Sequence, residues 1–365
     1  MAKNLADILA TLVGVVFGKI ATHPGSHLDE IMAAWLLKHF GDKLFPGVSK
    51  ARIVFWGYGG MTPDGRPVEE YMREGILPVG VAGSLLDEHP KGDGERAKKK
   101  TCAAVLTAEL LGVANDPALR QMLKYALDKD THATAAPFDL AHMVKCMHMA
   151  NPKHPKVVIN TIWQMLDAKY HEQSEFWVTA PKEIEKAEWF TIVGSDGEIR
   201  VCVVKTDCAQ VPMYARSKMG GGADIVIIQN SAGNVQILTN HKRNLRLGDL
   251  VRLLRLAELG EVGIRSTARW CDLEAEGTQF GWHHHLEGWM VLNGSSTATK
   301  VPPTKVPLAL ILALVKLAFS PNLYEPGRAA KCRAGKCTST DGDLCPWDYY
   351  GLRRCQAMRR AQRRR

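Results

Sequence analysis

Residues 13–40 read VGVVFGKIATHPGSHLDEIMAAWLLKHF, and this stretch decides the fold class. Its first part, residues 13–21, is apolar and rich in β-branched residues, which predicts a strand that stops before Pro24. Over residues 29–40 the apolar positions recur at helical spacing, and Gly41 follows as a helix stop. A strand that runs directly into a helix is typical of α/β domains with a parallel sheet.

The same alternation continues along the first half of the chain. Further strands are predicted at residues 52–56 and 76–81, and helices at 101–111, 118–127, 139–149 and 157–171. After a charged, proline-containing linker at 172–188, strands are predicted at 189–193, 198–205, 224–229 and 235–239, and helices at 247–259 and 308–319. We therefore expect an α/β protein with a mostly parallel sheet in residues 1–178, a smaller α/β domain in 186–325 and a tail in 326–365.

The composition excludes several classes of protein. At 365 residues, with 46% hydrophobic and 23% charged residues, the chain is neither disordered throughout nor fibrous. The longest apolar stretch, residues 306–319, contains a proline and a lysine and is too short to span a bilayer. No signal-peptide cleavage pattern follows the N-terminus. Five scattered cysteines are expected to be buried thiols of a reducing compartment, which favours the cytoplasm: Cys102, Cys146, Cys202, Cys208 and Cys271.

Polar clusters follow the predicted strands and one predicted helix. They are His23, His27 and Asp29 with Glu30; Asp87, Glu88 and His89; and Asp128 with Asp130. Because loops at the carboxyl ends of parallel strands converge on one crevice, we expect the clusters to share a site. Each cluster taken alone is equally compatible with a polar loop or a helix cap. Together, imidazoles and carboxylates without thiolates favour Mn²⁺, Mg²⁺ or Zn²⁺, in sufficient number for two ions and metal-assisted phosphoryl chemistry.

The order of these clusters resembles that of the DHH (Asp-His-His) phosphoesterase superfamily. The stretch THPGSHLDEIMAAWLL at residues 22–37 is most similar to the branch of the melanocyte-proliferating-gene exonucleases. The resemblance implies hydrolysis of a phosphodiester or phosphomonoester at RNA or DNA ends or in small nucleotides, with one or two Mn²⁺ or Mg²⁺ ions in a cleft between two domains. It also implies the metal ligands, which would be His23, His27, Asp29, Asp87, His89 and either Asp130 or Asp128. Of these, Asp29, Asp87 and His89 would be the catalytic residues.

Two positions depart from the family pattern. Glu88 stands where the motif has its middle histidine, and it could still bind a metal through oxygen. Gly80 stands where the family has an aspartate at the end of the preceding strand. Either Asp87 or Glu88 takes that role, or the site holds one metal, or catalysis is lost. The last case would leave a nucleic-acid- or nucleotide-binding protein that keeps the fold.

The segment GWHHHLEGWMVLNG at residues 281–294 resembles the accessory, substrate-gripping domain of the same superfamily. The resemblance implies substrate contacts from His283, His284, His285, Gly288 and Asn293. Because side chains alternate along a strand, the three histidines cannot all face one site. Arg216 and Lys218, before the glycines at 220–222, could hold phosphate oxygens, although a flexible turn explains the glycines equally well.

The tail accounts for most of the net charge of +9, since residues 328–365 carry eleven Lys or Arg against three Asp. Four of the nine cysteines also lie there: Cys332, Cys337, Cys345 and Cys355. A segment this small needs a metal ion or a covalent cross-link in order to fold, and tetrahedral zinc is the simplest. An iron–sulfur cluster and a disordered tail with free thiols are the alternatives.

Three aromatic residues, Trp347, Tyr349 and Tyr350, lie between the last two cysteines, and seven arginines follow them. This combination favours binding of RNA or DNA, while packing of the rings around a metal core is the competing interpretation. No membrane partner is expected. The sequence leaves the oligomeric state open, a homo-oligomer included.

Removal of the tail tests both roles. If the cysteines hold zinc, metal analysis of the full chain should find about one tightly bound zinc ion that a truncation after Pro326 lacks. If the arginines bind phosphates, the full chain should bind RNA more tightly than the truncation, and the difference should shrink as salt rises. Equal RNA affinity of the two proteins at low salt would rule out a nucleic-acid-binding tail.

Overall fold

A computed structural model describes residues 8, 10–57, 61–89, 100–132, 136–194, 197–261, 272–295 and 298–319. The chain divides into two compact units, residues 1–177 and 178–365. None of the described helices is long and apolar enough to cross a membrane. The tail with its four cysteines, and Cys271, lie outside the described residues.

Unit 1 contains a three-stranded parallel sheet and six helices among its described residues. The strands are β1 (Lys19–Thr22), β2 (Arg52–Phe55) and β3 (Ile76–Pro78), in the order β2-β1-β3. The helices are α1 (Leu28–Phe40), α2 (Val68–Arg73), α3 (Ala103–Leu110), α4 (Arg120–His132), α5 (Leu140–Ala150) and α6 (Pro155–Ser174). In the central strand β1, Ile20 pairs with Ile53 on one side and Leu77 on the other. The predicted parallel α/β architecture is therefore present in this unit.

Helix α1 lies at the centre of unit 1. Its first ten residues, 28–37, are all buried, and they include the fully enclosed Trp35. The Trp35 indole N–H donates to Asp167 Oδ1 of α6 at 2.7 Å, and Trp163 Nε1 donates to the Ile31 carbonyl at 3.0 Å. A helix buried on all sides cannot keep polar residues at a solvent face, so its acidic first turn is carried into the interior.

The predicted start of the first strand was wrong. The strand expected from residue 13 begins only at Lys19; Val13 and Val16 are 85% and 70% exposed, and Gly14 has a φ of +84° that breaks an extended run. The boundary between the two units, 177/178, falls inside the linker expected at 172–188. This linker is largely helical, because a π-helical turn, Glu175–Thr179, joins α6 to α7 (Ala180–Ile184). Pro181, which suggested a linker, lies in the first turn of α7, where its missing N–H is not needed.

Unit 2 is built on a mixed seven-stranded sheet in the order β4-β5-β6-β7-β10-β9-β8. Its strands are β4 (Glu188–Gly194), β5 (Gly197–Lys205), β6 (Ile225–Gln229), β7 (Val235–Thr239), β8 (Gly277–Gln279), β9 (Trp282–His284) and β10 (Met290–Leu292). Only β5 and β6 pair in parallel among these strands. The described helices are α7, α8 (Val211–Arg216), α9 (Gly248–Glu261) and α10 (Leu308–Phe319).

A buried arginine organises the far edge of this sheet. Arg255 of α9 is completely enclosed and donates hydrogen bonds of 2.7–2.9 Å to four backbone carbonyls, those of Leu273, Ala275, Gly277 and Trp282. Burial lowers the pKa of its guanidinium to about 10. The four acceptors fix the strands β8 and β9 against α9, which explains how strands of only three residues persist.

Candidate metal site in unit 1

Three carboxylates from separate segments of unit 1 meet at one point. Asp29 lies in the first turn of α1, Glu88 in the loop that follows β3, and Asp130 near the end of α4. Each offers one oxygen, and these oxygens all lie within 4.8 Å of one another. The predicted convergence of the three clusters therefore occurs within unit 1, with Glu88 as the member contributed by the second cluster.

The cluster extends from the interior to the surface, since Asp29 is buried, Glu88 half-buried and Asp130 exposed, and its carboxylates repel one another. Asp29 is 3% exposed, and its Oδ2 accepts a hydrogen bond from the Ala103 N–H at the start of α3, at 3.3 Å. Burial, followed by the charges of Glu30, Glu88 and Asp130, raises the pKa of Asp29 well above its ordinary value. Burial likewise raises the pKa of Glu88 to about 7, and burial with the Glu30 charge raises the pKa of Asp130. Grouped carboxylates that repel one another in this way favour a bound cation.

A second acidic side chain of α1, Glu30, is also 3% exposed and holds the histidine loop in place. Its Oε1 lies 2.8 Å from His23 Nε2, and its Oε2 accepts the backbone N–H of His27, the N-cap residue of α1. A ring nitrogen of His27 and one carboxylate oxygen each from Asp29 and Glu30 lie within 4.8 Å of one another and form a second compact donor group. The rings of His23 and His27 meet edge to face with centroids 5.6 Å apart.

Asp87 positions its neighbours. Its Oδ2 accepts the Gly83 N–H at 2.7 Å, and its Oδ1 lies within hydrogen-bond distance of both the backbone N and the ring Nδ1 of His89, at 3.0 and 2.9 Å. A ring N–H held by a carboxylate leaves the opposite nitrogen available as a metal ligand, an arrangement common at metal sites. The contacts therefore favour a positioning role for Asp87 and a ligand role for the exposed His89.

Asp128 and Asp130 were rivals for one position, and the structure separates them. Residues two apart on a helix point to opposite faces. Both residues are exposed, but Asp130 joins Asp29 and Glu88, whereas Asp128 belongs to none of the compact donor groups among the described residues. The geometry therefore favours Asp130 and places Asp128 outside the candidate site.

Gly80 is the position where the family pattern has an aspartate, and a side chain has no room there. Gly80 has a φ of +62°, and a Cβ built on it would lie 2.4 Å from Glu30 Cγ. The Glu30 side chain thus occupies the space beside this glycine, with its Oε1 2.9 Å from that Cβ. Glu30 was not among the predicted ligands; the spacing His27-x-x-Glu30, which matches a capping box, is the signal that could have found it.

The residues predicted to grip substrate lie in unit 2 and differ in their surroundings. His284 is buried and its Nδ1 lies 2.8 Å from the Glu274 carbonyl, whereas His283 and His285 are half-buried, consistent with alternation along β9. His283 Nδ1 lies 3.2 Å from Thr278 Oγ1. Gly288 has a φ of +70° in the turn that joins β9 to β10. These contacts are those of a β-hairpin and leave a substrate role as a prediction.

Asn293 has a structural role that the family resemblance did not indicate. Its amide nitrogen donates to the carbonyls of Gly281 and Pro302 at 2.9 and 3.1 Å. Its Oδ1 accepts from the Thr304 N–H at 2.8 Å and from Asn234 Nδ2 at 3.3 Å. Both donors and both acceptor positions of the side chain are therefore occupied by protein groups, which leaves none for a substrate.

Arg216 and the glycines after it also serve the local fold. Arg216 donates to the Pro212 and Thr239 carbonyls at 2.9 and 3.0 Å, and burial lowers the pKa of its guanidinium. A Cβ on Gly220 would lie 2.0 Å from the Tyr214 carbonyl oxygen, and Gly221 has a φ of +99°. A tight turn therefore accounts for the glycine run. Lys218 is exposed beside it.

The scattered cysteines behave mostly as predicted. Cys102, Cys202 and Cys208 are buried free thiols, and burial raises the pKa of Cys102 and of Cys202 to about 12. Cys146 is only half-buried. Neutral, enclosed thiols are poor metal ligands, which leaves oxygen and imidazole as the donors of the candidate site.

The donor set fits a hard divalent cation. Asp29, Glu88 and Asp130 supply oxygens, and His27 and His89 add imidazoles at the exposed side of the cluster. Oxygen-rich sets of this kind suit Mn²⁺ or Mg²⁺. Beyond the geometry, comparison with known proteins adds no assignment: the chain matches no family model and no curated protein.

Added Mn²⁺ should stabilise the protein, and more at pH 8 than at pH 5.5. Because the pKa of Glu88 is raised from 4.5 to about 7, its contribution to the stability of the metal-free protein is full at acid pH and is lost as the pH rises through about 7. The ion replaces those protons, so its stabilisation grows over the same interval, reaching about 2.7 kcal/mol at 100 times its Kd. Thermal unfolding with and without Mn²⁺ measures the effect.

Asp130→Asn and Asp128→Asn form a matched pair for this measurement. Both remove one negative charge from the same turn of α4, but only Asp130 lies in the cluster. The Mn²⁺-induced rise in melting temperature should shrink in Asp130→Asn and stay unchanged in Asp128→Asn. Equal responses of the two variants would show that the ion binds elsewhere.

Gly80→Ala should lower stability by about 1–3 kcal/mol from the positive φ alone, and should also displace Glu30. Gly112→Ala is the control, since Gly112 has a φ of +73° but no atom within 4 Å of its virtual Cβ. Denaturant unfolding should therefore show the larger loss for Gly80→Ala, and Mn²⁺ titration should show weakened binding for that variant alone. Identical losses in both variants would mean that Glu30 moves aside freely.

Proposed function

We propose that unit 1 is a metal-dependent phosphoesterase that hydrolyses a phosphodiester or phosphomonoester in nucleotides or at RNA or DNA ends. The observation that carries the proposal is the meeting of Asp29, Glu88 and Asp130, which come from three segments spread over about a hundred residues of the chain. Caps and loops account for each cluster separately, but they give no reason for three mutually repelling carboxylates to meet around the buried Asp29.

The residues of unit 1 would have two kinds of role, metal binding and positioning of the metal ligands. Asp29, Glu88 and Asp130, with His27 and His89, would hold one or two Mn²⁺ or Mg²⁺ ions, which supply activation of water and neutralisation of phosphate charge. Asp87 fixes the ring of His89 through Nδ1. Glu30 fixes the loop that carries His23 and His27. The surrounding core limits access of water to Asp29 and strengthens every charge interaction in the pocket.

A binding protein without catalysis is the second candidate. Gly80 has no space for a carboxylate of its own, so a site that needs the family aspartate at that position would be one ligand short. Such a protein would keep the fold and the cleft and would bind nucleotides or nucleic acid without cleaving them. The nearby Glu30 carboxylate is the feature that favours the enzyme, because it places a negative charge beside that glycine.

Asp29→Asn should abolish hydrolysis of a chromogenic phosphodiester in the presence of Mn²⁺. The change keeps the size of the side chain but removes a ligand charge, and loss of a metal-binding carboxylate should lower kcat by orders of magnitude. Asp128→Asn, on the exposed face of α4, should retain wild-type activity.

Full activity of Asp29→Asn would refute the site. If the wild-type protein cleaves no phosphoester with Mn²⁺ or Mg²⁺ but binds nucleotides in a manner that depends on Asp29, the binding protein is the correct assignment.

A further inference from the structure

A cleft of about 500 Å³ opens beside the candidate metal site, and all of its described lining residues belong to unit 1. His27, Asp29 and Asp130 form part of its lining. Helix α5 contributes another part, through residues that recur at helical spacing: Ala141, His142, Val144, Lys145, His148 and Met149. The volume is that of a small-molecule site and suits a ligand of nucleotide size.

Of the two lysines that line this cleft, only one forms an ion pair among the described residues. Lys129, which also lines it, forms an ion pair with Asp139. Lys145 forms no ion pair with any residue that the structure describes. His142 lies three residues before Lys145, on the same face of α5. The α5 part of the lining therefore offers a positive charge that the described protein does not neutralise.

Helix α5 is held firmly against the histidine loop. His148 Nε2 lies 3.0 Å from the Ser26 carbonyl, and the N-cap Asp139 accepts the Ala141 N–H at 3.0 Å. Tyr125 of α4 donates to the same Asp139 carboxylate. Lys145 and His142 thus stand on a helix anchored at both ends, which fixes their distance from the metal ligands better than a loop would.

The floor between the charged parts is apolar. Leu28, Ala126 and Val144 are buried residues that reach the cleft. A ligand that fits must therefore combine a phosphate at the carboxylate cluster, an apolar or aromatic body over the floor, and an anionic group at α5. A nucleoside with two phosphate groups has this combination, whereas an uncharged body with a single phosphate lacks the third part.

We propose that Lys145, assisted by His142, binds a second phosphate of the substrate, so that the enzyme prefers phosphate esters of nucleotide size with a phosphate besides the one that is cleaved. This inference rests on the proposed function and deepens it. A lysine ammonium on a phosphate forms charge-assisted hydrogen bonds, which are stronger than those between neutral groups.

Two substrates that differ only in the second phosphate test the assignment. They are thymidine 5′-(p-nitrophenyl phosphate) and the same compound with a 3′-phosphate, each assayed with Mn²⁺. The wild-type protein should show the lower KM for the 3′-phosphorylated compound. Lys145→Met should raise that KM about tenfold or more, the loss expected for a hydrogen bond to a charged group, with little change in kcat. The KM for the compound without the 3′-phosphate should change little.

Lys124→Met, which alters an exposed lysine of α4 outside the cleft lining, is the matched control and should leave both KM values unchanged. If Lys145→Met leaves both KM values unchanged, or changes them equally, the assignment of Lys145 is refuted while the phosphoesterase stands. If neither compound is cleaved, the proposed function fails instead. Equilibrium affinities for thymidine 3′,5′-bisphosphate and thymidine 5′-monophosphate then decide: loss of the preference for the bisphosphate in Lys145→Met supports the site, and an unchanged preference refutes it.

Discussion

The burial of two carboxylates in the first turn of α1 is the constraint on which unit 1 depends. Helix α1 is enclosed along residues 28–37, so Asp29 and Glu30 cannot reach solvent without removing the helix from the core. Their negative charges must be met where they lie. The N-terminus of α3 meets Asp29, and His23 with the His27 backbone meets Glu30. Glu88 and Asp130 add further negative charge beside them. The charge that the described residues leave uncompensated favours a bound cation.

Gly80 and Glu30 pack directly against each other, so the conformation of one limits that of the other. A positive φ and the absence of a side chain let the chain after β3 pass close to Glu30 Cγ. The sequence alone left open whether Asp87 or Glu88 replaces the expected aspartate, whether the site holds one metal, or whether catalysis is lost. In the folded unit, the space beside Gly80 is occupied by the Glu30 carboxylate of α1.

Much of the fold follows from local patterns. The helical period of residues 29–40 and the apolar strands at 52–55 and 225–229 are recognisable because each element buries one face or both faces in a regular way. The errors have equally local causes. Gly14 interrupts an apolar run that lacks a partner strand, Pro181 fits the first turn of a helix, and the strands β8, β9 and β10 are too short to show a period of two.

The histidines and carboxylates that unit 1 offers can be read from the chain, because each cluster lies within a few residues and needs no knowledge of packing. Which of these groups meet depends on the folded unit. Asp130 rather than Asp128 joins the cluster because of the face that each residue takes on α4. Packing also brings Glu88 and Glu30 next to Asp29. In unit 2, protein groups already occupy the hydrogen-bonding positions of the Asn293 amide. These choices depend on distances between segments far apart in the chain, and such distances are set by how helices and strands pack rather than by the order of residues.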